Sequence, residues 1–287
     1  MKKSFDFSFD SIKTLAGADV ARALAEDVGG GDLTAGLIDA ALGARAQVLA
    51  RESAVICGSA WVQAAVLQLD PHAQITWHVR DGERCSADQV VLELKGRAQA
   101  LLTAERTALN FLQLLSAVAT KTATYVEAVR GTQAKIVDTR KTLPGLRLAQ
   151  KYAVRVGGGT NHRIGLYDAV LIKENHIAAA GGIAQVLARA ATTAAQADFI
   201  QIEVETLGQL AQALDAGARM VLLDNMDLTQ LREAVRINNG RACLEISGGV
   251  TLESLRTLAE TGVDRISIGG LTKDVKATDF SMRFQDL

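Results

Sequence analysis

The sequence predicts an α/β protein whose C-terminal part is built on a parallel sheet. Beyond Gly131, short β-branched segments alternate with amphipathic segments. After the first, these segments begin at about positions 168, 199, 219, 242 and 265, a spacing of roughly 20–30 residues that fits one strand and one helix each. Each of them ends on polar residues or glycine. Right-handed crossovers in such a series give either an open, doubly wound sheet or a closed barrel.

The individual elements follow from local pattern. In the first third, "RAQVLAR", "AVIC", "QITWHV" and "VVLELKG" have the composition of strands, and "SAWVQAAVLQL" that of a helix. A long helical stretch, from about 99 to 129, separates this region from the next. The later strands are predicted at "AKIVDT", "AVLIKE", "FIQIEVE", "RMVLLD", "ACLEIS" and "RISIGG".

Composition excludes several classes of protein. The 287 residues are 48% apolar and 22% charged, as in soluble globular proteins. We find no apolar run near the roughly 20 residues of a membrane span. No apolar segment follows "MKKSFDFSFD", so we expect no signal peptide. Three widely spaced cysteines indicate reduced thiols and no metal site, and therefore a cytoplasmic protein. A net charge of −1 argues against nucleic acid or a membrane as partner.

Positive charge is concentrated in one segment. Between Lys135 and His176, eight lysines and arginines face three acids, so this segment carries +5 and the rest of the chain −6. A local cationic cluster on a nearly neutral protein predicts a small anionic ligand. The eight are Lys135, Arg140, Lys141, Arg147, Lys151, Arg155, Arg163 and Lys173.

Several of these cations lie where the predicted strands end. Arg140 and Lys141 follow the first strand of the sheet, Lys173 follows the second, and "VGGGTNHRIGL" delivers His162 and Arg163 just before it. The carboxyl ends of parallel strands form the active-site face of α/β barrels. Loops are polar in any protein, which is the alternative explanation. Arginine forks and lysine point charges together favour a ligand with several negative charges.

Acidic side chains accompany the cations. Alternation along "FIQIEVE" puts Gln201, Glu203 and Glu205 on one face of a strand. Glu203 and Asp224, on successive strands, are suited to hydrogen-bond a sugar diol or to hold hydrated Mg²⁺. Buried salt bridges are the alternative, and for Glu205 both explanations stand equally.

Weaker signals remain open. The pairs "SGG" and "GG" end the last two strands, where backbone N–H groups hold phosphate in barrels, although such pairs also make ordinary turns. Arg106, Asn110 and Gln113 form one polar stripe on an apolar helix, which a solvent-exposed face would equally explain. For His176 an anion contact and a structural role are both open.

The motifs together resemble one family. "VDTRKTLPGLRLAQKYAVRVGGGTNHRIGLYDAVLIKENHI" is similar to the core signature of the quinolinate phosphoribosyltransferases, also called carboxylating nicotinate-nucleotide pyrophosphorylases. The resemblance extends from "EDVGGGDLT" through "ERTALNFLQLLS", "IEVET", "LEISGGV" and "ISIGGLT" to "DFSMRF". After "GGLT" some relatives carry a histidine, whereas this chain has Lys273 and Asp274. We therefore do not assign a phosphate contact to these two residues.

The resemblance implies a fold and an assembly. It implies an N-terminal α/β sandwich domain over 1–112, joined by the C-terminal tail at about 278–287. An incomplete TIM-like barrel of about six parallel strands would occupy 113–277. Family members are homodimers or larger assemblies, in which the N-terminal domain covers the partner's barrel. Arg106 is thereby expected to act in trans.

The resemblance also implies an activity, that of a pentosyltransferase in de novo NAD biosynthesis. Quinolinate and 5-phosphoribosyl 1-pyrophosphate would give nicotinate mononucleotide, pyrophosphate and CO₂, with Mg²⁺ as cofactor. Lys141, Lys173, Glu203 and Asp224 are expected to be catalytic, and Glu203 and Asp224 to contact Mg²⁺ held by substrate phosphates. The substrate-binding residues implied are Arg106, Thr139, Arg140, Lys141, His162, Arg163, Lys173, Glu203, Asp224, Ser247, Gly248, Gly249, Ile268, Gly269 and Gly270.

Three other functions compete with this one. A Schiff-base aldolase would use Lys173, but gives no role to Arg140, Lys141, His162 and Arg163 together. A phosphoribosyltransferase-like protein of altered specificity would not need the intact set of cations. A non-catalytic nucleotide-binding module would have no use for the paired acids.

Overall fold

The computed structural model describes residues 5–192 and 194–286. Residues 1–4 of the predicted N-terminal domain, Thr193, and Leu287 of its predicted tail lie outside that description, as do the side chains of Ala194 and Asp286. The chain forms two compact units. We call Phe7–Ala123, Leu143–Gly158 and Thr272–Leu287 the N-terminal unit, and Met1–Asp6, Thr124–Thr142 and Gly159–Leu271 the parallel-sheet unit.

The N-terminal unit is organised around an antiparallel sheet. Its strands are β1 (Gly43–Ala50), β3 (Gln74–Trp77), β5 (Val90–Arg97) and the C-terminal β12 (Phe280–Asp286), in the order β12-β1-β5-β3. β2 (Ala54–Val55) and β4 (Arg84–Cys85) form a separate short pair. The helices are α1 (Phe9–Val28), α2 (Ser59–Leu69), α3 (Ala98–Ala128) and α4 (Arg147–Val156).

Trp61 is the centre of this unit's core. Its side chain is fully buried, and its ring stacks on Phe111 with centroids 6.4 Å apart and tilts against Tyr152 at 5.7 Å. The indole Nε1 donates to the Asp19 carboxylate at 3.0 Å, so the polar end of this large apolar group is satisfied.

The parallel-sheet unit contains six strands, all parallel. They are β6 (Lys135–Val137), β7 (Val170–Ile172), β8 (Ile200–Val204), β9 (Met220–Asp224), β10 (Cys243–Ser247) and β11 (Arg265–Ser267), in the order β6-β11-β10-β9-β8-β7. β6 and β7 are therefore edges, and the described sheet is not closed into a full barrel. Thr160 adds one parallel bridge to Val137 on the free side of β6.

Capping residues start the helices soon after the strands end. The helices are α5 (Glu174–Ala180), α6 (Ile183–Ala191), α7 (Leu207–Asp215), α8 (Leu228–Asn238), α9 (Leu252–Ala259) and α10 (Gly270–Lys273). Thr206, Asp227 and Thr251 each accept a hydrogen bond from the backbone N–H three residues later. Such caps stabilise the first turn of a helix. The three strand-to-helix connections are consequently short and well defined.

The strands of the sheet turn one apolar face to the helices, and their polar residues lie on the other face. Ile202, Val204, Val221 and Leu223 belong to the buried cluster that packs the helices on the sheet. Alternation turns Gln201, Glu203, Leu222, Asp224 and Glu245 to the opposite face, which we call the interior face. The polar ends of this face therefore come from the same alternation that builds the core.

The predicted fold class is confirmed, with some differences in detail. Six parallel strands follow an antiparallel N-terminal sheet, and each strand in the later half lies within its predicted segment. The sequence pattern did not single out α1, a helix of 20 residues. The predicted boundary at residue 113 falls inside α3, so that boundary stays a prediction. No helix among the described residues is both long and apolar enough to cross a membrane.

The first glycine of "GGGTNHRIG" is required by close packing. Gly157 ends α4, and an added Cβ would clash with the carbonyl oxygen of Ala119 and lie 2.7 Å from the Thr122 Cβ on α3. Gly158 has φ +85°, in the left-handed region that favours glycine. Two different constraints thus place adjacent glycines here.

We predict that Gly157→Ala destabilises the protein by about 1–3 kcal/mol, because the obstacle is backbone that cannot move aside cheaply. The melting temperature should fall by roughly 2–4 °C per kcal/mol in a domain of 150–250 residues. Gly36→Ala is the matched control, since an added Cβ at Gly36 meets no atom of residues 5–192 or 194–286 within 4 Å. Equal melting temperatures for the two variants would contradict the close-packing explanation.

Candidate active site

Polar and charged side chains gather at the carboxyl ends of the parallel strands, which we call the mouth. Lys173 directly follows β7, Glu203 lies near the end of β8, and Asp224 is the last residue of β9. In the register of β9 and β10, Asp224 lies beside Ser247. The predicted strand-end residues are therefore neighbours across the sheet rather than scattered loop groups.

Lys173 and Glu203 form an ion pair across two strands. The Lys173 Nζ lies 2.9 Å from Glu203 Oε2, with the lysine side chain half exposed and the glutamate 14% exposed. Lys173 is also the N-cap of α5, and its backbone N–H donates to His176 Nδ1 at 3.0 Å. His176 thus has a structural role, one of the two roles left open for it. Glu205 is exposed, which contradicts the buried-salt-bridge explanation.

Charges of both signs at the mouth affect the pKa of Asp224. Partial burial raises the pKa of its carboxyl above the usual value, and the Glu203 carboxylate raises it further. Lys173 and Lys141 act in the opposite direction. Glu203, Lys173 and Lys141 are therefore all within electrostatic reach of Asp224. The catalytic role of these four residues stays a prediction.

Lys141 lies against Gly269, which follows the neighbouring strand β11. An added Cβ at Gly269 would be 2.8 Å from Lys141 Cδ and 3.5 Å from Thr139 Oγ1. The Thr139 hydroxyl in turn accepts the Lys141 backbone N–H at 3.0 Å. The absence of a side chain at Gly269 leaves room for the lysine stem beside the mouth.

The glycines that follow β10 have backbone dihedral angles in the left-handed region. Gly248 and Gly249 have φ of +101° and +56°, and a Cβ on Gly248 would clash with the Asn225 side-chain oxygen. Ile268 packs its side chain into the apolar cluster, so only its backbone could bind a ligand. Gly270 begins the four-residue helix α10. A phosphate contact at the ends of β10 and β11 stays a prediction.

Two buried carboxylates fix the NHRIG segment (residues 161–165). Asp138, fully buried just after β6, accepts the His162 backbone N–H at 2.8 Å and the Asn161 Nδ2 at 2.6 Å. Asp168 accepts the backbone N–H groups of Ile164 and Gly165 at 2.7 and 2.9 Å. Arg163 lies between these two attachments, so its Cα position is set from both sides.

His162 points into the protein rather than into the mouth. Its Nε2 lies 2.8 Å from Gln201 Oε1 and 3.5 Å from Glu245 Oε1, and its Nδ1 accepts the Arg163 backbone N–H at 2.8 Å. Both ring nitrogens thus have partners, and the residue is buried. The structure therefore does not show the ring free to grip an anion, and direct substrate contact by His162 stays a prediction.

Arg163 and Arg140 form a pair of like charges. Burial lowers the pKa of the Arg163 guanidinium, Arg140 lowers it further, and Asp168 partly compensates. Arg163 Nη1 donates to the Ala169 carbonyl at 3.3 Å. Two neighbouring guanidinium groups repel each other, and an anion with two carboxylates would relieve that repulsion.

Three interior residues were missed as functional candidates. Glu245 and Gln201 are fully buried, and Arg265 Nε lies 2.9 Å from Glu245 Oε2. Together with His162 they make a polar cluster on the interior face. The available signal was a charged residue in the middle of the apolar strand "CLEIS", where alternation turns Glu245 away from Leu244 and Ile246.

The remaining predicted residue lies elsewhere in the chain. Arg106 is on α3 in the N-terminal unit, and its side chain is exposed, as is that of Asn110. Lys273 and Asp274, also in that unit, pair with each other at 2.7 Å. The expected action of Arg106 in trans stays a prediction.

The mouth has a donor set suited to Mg²⁺. Glu203 and Asp224 lie at the ends of neighbouring strands, and the Glu203 carboxylate raises the pKa of the Asp224 carboxyl, so the two carboxylates are within electrostatic reach of each other. No cluster of three or more His, Cys, Asp or Glu side chains fit for a metal occurs in the described part of the chain. Mg²⁺ characteristically needs only one or two carboxylates together with substrate phosphates and water. The residues present therefore fit this ion.

Comparison with known proteins accounts for nearly the whole chain. The model of the quinolinate phosphoribosyl transferase C-terminal domain matches residues 118–283, and that of the N-terminal domain matches residues 32–116. A nicotinate-nucleotide pyrophosphorylase [carboxylating] of Mycobacterium leprae is 43% identical over 97% of this chain and 97% of its own. A probable enzyme of the same name from Bacillus subtilis is 43% identical over 90% and 89%.

Solved structures agree with this result. The nicotinate-nucleotide pyrophosphorylase of Francisella tularensis is 42% identical and superposes with a TM-score of 0.93, covering 99% of this chain and 100% of that one. NadC from Streptococcus pyogenes is 38% identical, with a TM-score of 0.92 over 99% and 100%. Both likenesses extend over the two compact units.

We predict that Asp224→Asn stabilises the protein at neutral pH. The pKa of this carboxyl is raised on folding, so its ionisation begins to oppose folding as the pH rises above the unfolded value, and does so fully once the pH exceeds the folded value. Asparagine keeps the shape without the charge. Melting temperatures should therefore be higher for the variant at pH 7. The difference should vanish below about pH 3.8, where the Asp224 carboxyl is neutral in both the folded and the unfolded protein. A variant that melts lower at pH 7 would contradict the charge strain inferred here.

Proposed function

The chain belongs to the quinolinate phosphoribosyl transferase family, and we propose that it converts quinolinate and 5-phosphoribosyl 1-pyrophosphate to nicotinate mononucleotide, pyrophosphate and CO₂. The observation that carries the proposal is that one unit brings two guanidinium groups, Arg140 and Arg163, within electrostatic reach of each other and also brings two lysines to two carboxylates at its strand ends. Quinolinate brings two carboxylates, and the second substrate brings a phosphate and a pyrophosphate. The mouth supplies cations for both.

Arg163 and Arg140 are proposed to bind the quinolinate carboxylates. Arg163 is held on a segment fixed by Asp138 and Asp168, so little ordering is needed when substrate arrives. We assign His162 an indirect part, since both its ring nitrogens are engaged within the protein. Thr139 and the backbone at Ser247–Gly249 and Ile268–Gly270 are proposed to bind the phosphoribosyl group.

The carboxylates and lysines are proposed to act on the reacting centre. Attack by the ring nitrogen on ribose C1 breaks the bond to pyrophosphate, and C1 develops positive charge as that bond lengthens. Glu203 and Asp224 would stabilise this charge and accept hydrogen bonds from the ribose hydroxyls. Lys141 and Lys173 would orient the leaving pyrophosphate. Bound Mg²⁺ supplies charge neutralisation at the phosphates, with Glu203 and Asp224 as its protein ligands.

Decarboxylation follows from the product of the first step. N-ribosylation makes the ring nitrogen cationic, so the electron pair left when the adjacent carboxylate departs as CO₂ is stabilised beside a positive charge. A proton then replaces the carboxylate. We propose that positioning and electrostatics supply the catalysis, without a covalent enzyme intermediate. This separates the proposal from a Schiff-base aldolase, in which Lys173 would form a borohydride-trappable adduct.

We further propose a cytoplasmic homodimer in which Arg106 completes the partner's site. Its support is the exposure of Arg106 on α3 and its position in the N-terminal unit, apart in the chain from the other predicted residues. A larger assembly of such dimers is compatible with this role. No nucleic acid or membrane enters the proposal.

The activity is tested by a Mg²⁺-dependent assay with quinolinate and 5-phosphoribosyl 1-pyrophosphate, with nicotinate as the control substrate. We expect nicotinate mononucleotide and CO₂ in equal amounts from quinolinate, and no product from nicotinate. Product from nicotinate without CO₂ would keep the transferase class and refute the substrate. Binding of both substrates without turnover would favour the binding-module alternative.

We predict that Arg163→Ala raises the KM for quinolinate by roughly 10- to 150-fold, because it removes a hydrogen bond to a charged group worth about 1.5–3 kcal/mol. The KM for phosphoribosyl pyrophosphate and the melting temperature should change little. Arg189→Ala, an exposed arginine at the end of α6, is the control and should leave both constants unchanged. A lower melting temperature with an unaltered KM would mean that Arg163 is structural.

A further inference from the structure

The interior polar cluster, formed by His162, Gln201, Glu245 and Arg265, lies on the interior face of the parallel sheet, where its members contact one another. Glu245 and Gln201 are fully buried, and His162 is 8% exposed. Such groups are costly to bury, and replacing a buried ion pair by apolar residues is often neutral or stabilising. Packing alone therefore gives no reason for this cluster.

The hydrogen bonds of His162 determine where its ring hydrogen is. Nδ1 accepts the Arg163 backbone N–H at 2.8 Å, so Nδ1 must be without hydrogen and Nε2 must carry it. Nε2–H then points at Gln201 Oε1, 2.8 Å away. The ring links the interior of the sheet to the backbone of the next residue, Arg163.

Gln201 alone cannot fix this arrangement. An amide can turn to present either oxygen or nitrogen, and among the residues that the structure describes the Gln201 Nε2 has no hydrogen-bond partner to oppose such a turn. The Glu245 Oε1 lies 3.5 Å from the ring Nε2, and an unprotonated nitrogen facing a carboxylate would be repelled. Arg265 Nε lies 2.9 Å from the other carboxylate oxygen, and this ion pair holds the Glu245 side chain in place.

We propose that Gln201 and Glu245 are positioning residues: together they hold the His162 imidazole with its hydrogen on Nε2, so that Nδ1 accepts the Arg163 N–H and presents Arg163 to the mouth in one orientation. Asp138 fixes the backbone just before this bond and Asp168 fixes it just after. The His162 ring supplies the attachment between them. The expected effect on the KM for quinolinate rests on the proposed function, whereas the expected tautomer of His162 does not.

The kinetic test compares two double variants. Glu245→Leu/Arg265→Met and Glu245→Gln/Arg265→Met both remove the buried ion pair as a unit, so neither leaves a lone buried charge. They differ only in whether residue 245 offers an oxygen to the ring. We expect the KM for quinolinate to rise roughly 10-fold in the leucine variant and to stay within about 2-fold in the glutamine variant. The KM for phosphoribosyl pyrophosphate should be unchanged in both.

Gln201→Leu should reproduce the leucine double variant. In an Arg163→Ala background neither change should raise the quinolinate KM further, because the group being positioned is gone. Equal KM values for the leucine and glutamine double variants would overturn the role of Glu245. Additive effects in the Arg163→Ala background would overturn positioning through Arg163.

A spectroscopic test needs no turnover. The chain has four histidines, so ¹⁵N-detected NMR of the imidazoles can identify His162 by comparison with His162→Asn. We expect the Nε2–H tautomer in the native protein and a mixture of tautomers in the leucine double variant. An Nδ1–H tautomer in the native protein would overturn the inference. If native protein fails to turn over quinolinate but shows the expected tautomer, only the proposed function fails.

Discussion

The buried carboxylate of Asp138 holds the site together. It follows β6 directly, is fully buried, and accepts hydrogen bonds from the backbone of His162 and the side chain of Asn161. The bridge from Thr160 to Val137 brings the same segment alongside β6. A buried carboxylate without these donors would cost several kcal/mol, so the NHRIG segment and the end of β6 stabilise each other. The position of Arg163, the His162 ring and the interior polar cluster all depend on this attachment.

The mouth contains like-charged groups that oppose one another in the absence of ligand. Arg140 lowers the pKa of Arg163, and Glu203 raises that of Asp224. The apolar face of the same strands, with Ile202, is packed without such conflict. The electrostatic repulsion is thus confined to the mouth, and substrates of opposite charge would relieve it. This is the arrangement expected where local rules give way to function.

The sequence predicts those features that depend on a single strand or helix. The strands from β6 to β11 follow from β-branched residues bounded by polar ones, and Glu203 opposite Ile202 follows from alternation alone. It was uninformative where distant segments meet. Nothing in "NHRIG" shows that Asp138 accepts the His162 backbone N–H, because that bond requires the segment to lie beside β6. For the same reason the direction of the His162 ring could not be predicted. Helix α1 was missed because its apolar residues, among them Val20 and Leu24, form only a weak stripe, with alanines and charged residues spread around the helix.

The pairing of β12 with β1 has a consequence during biosynthesis. β1 is made early, yet one of its two neighbours in the sheet is the last strand of the chain. At roughly 5–20 residues per second, the ribosome leaves that edge of β1 without its partner while the whole parallel-sheet unit is being made. Unpaired edges are the sites where nascent chains associate wrongly. The N-terminal sheet can therefore be completed only after residues 280–286 have been made, more than 200 residues after β1.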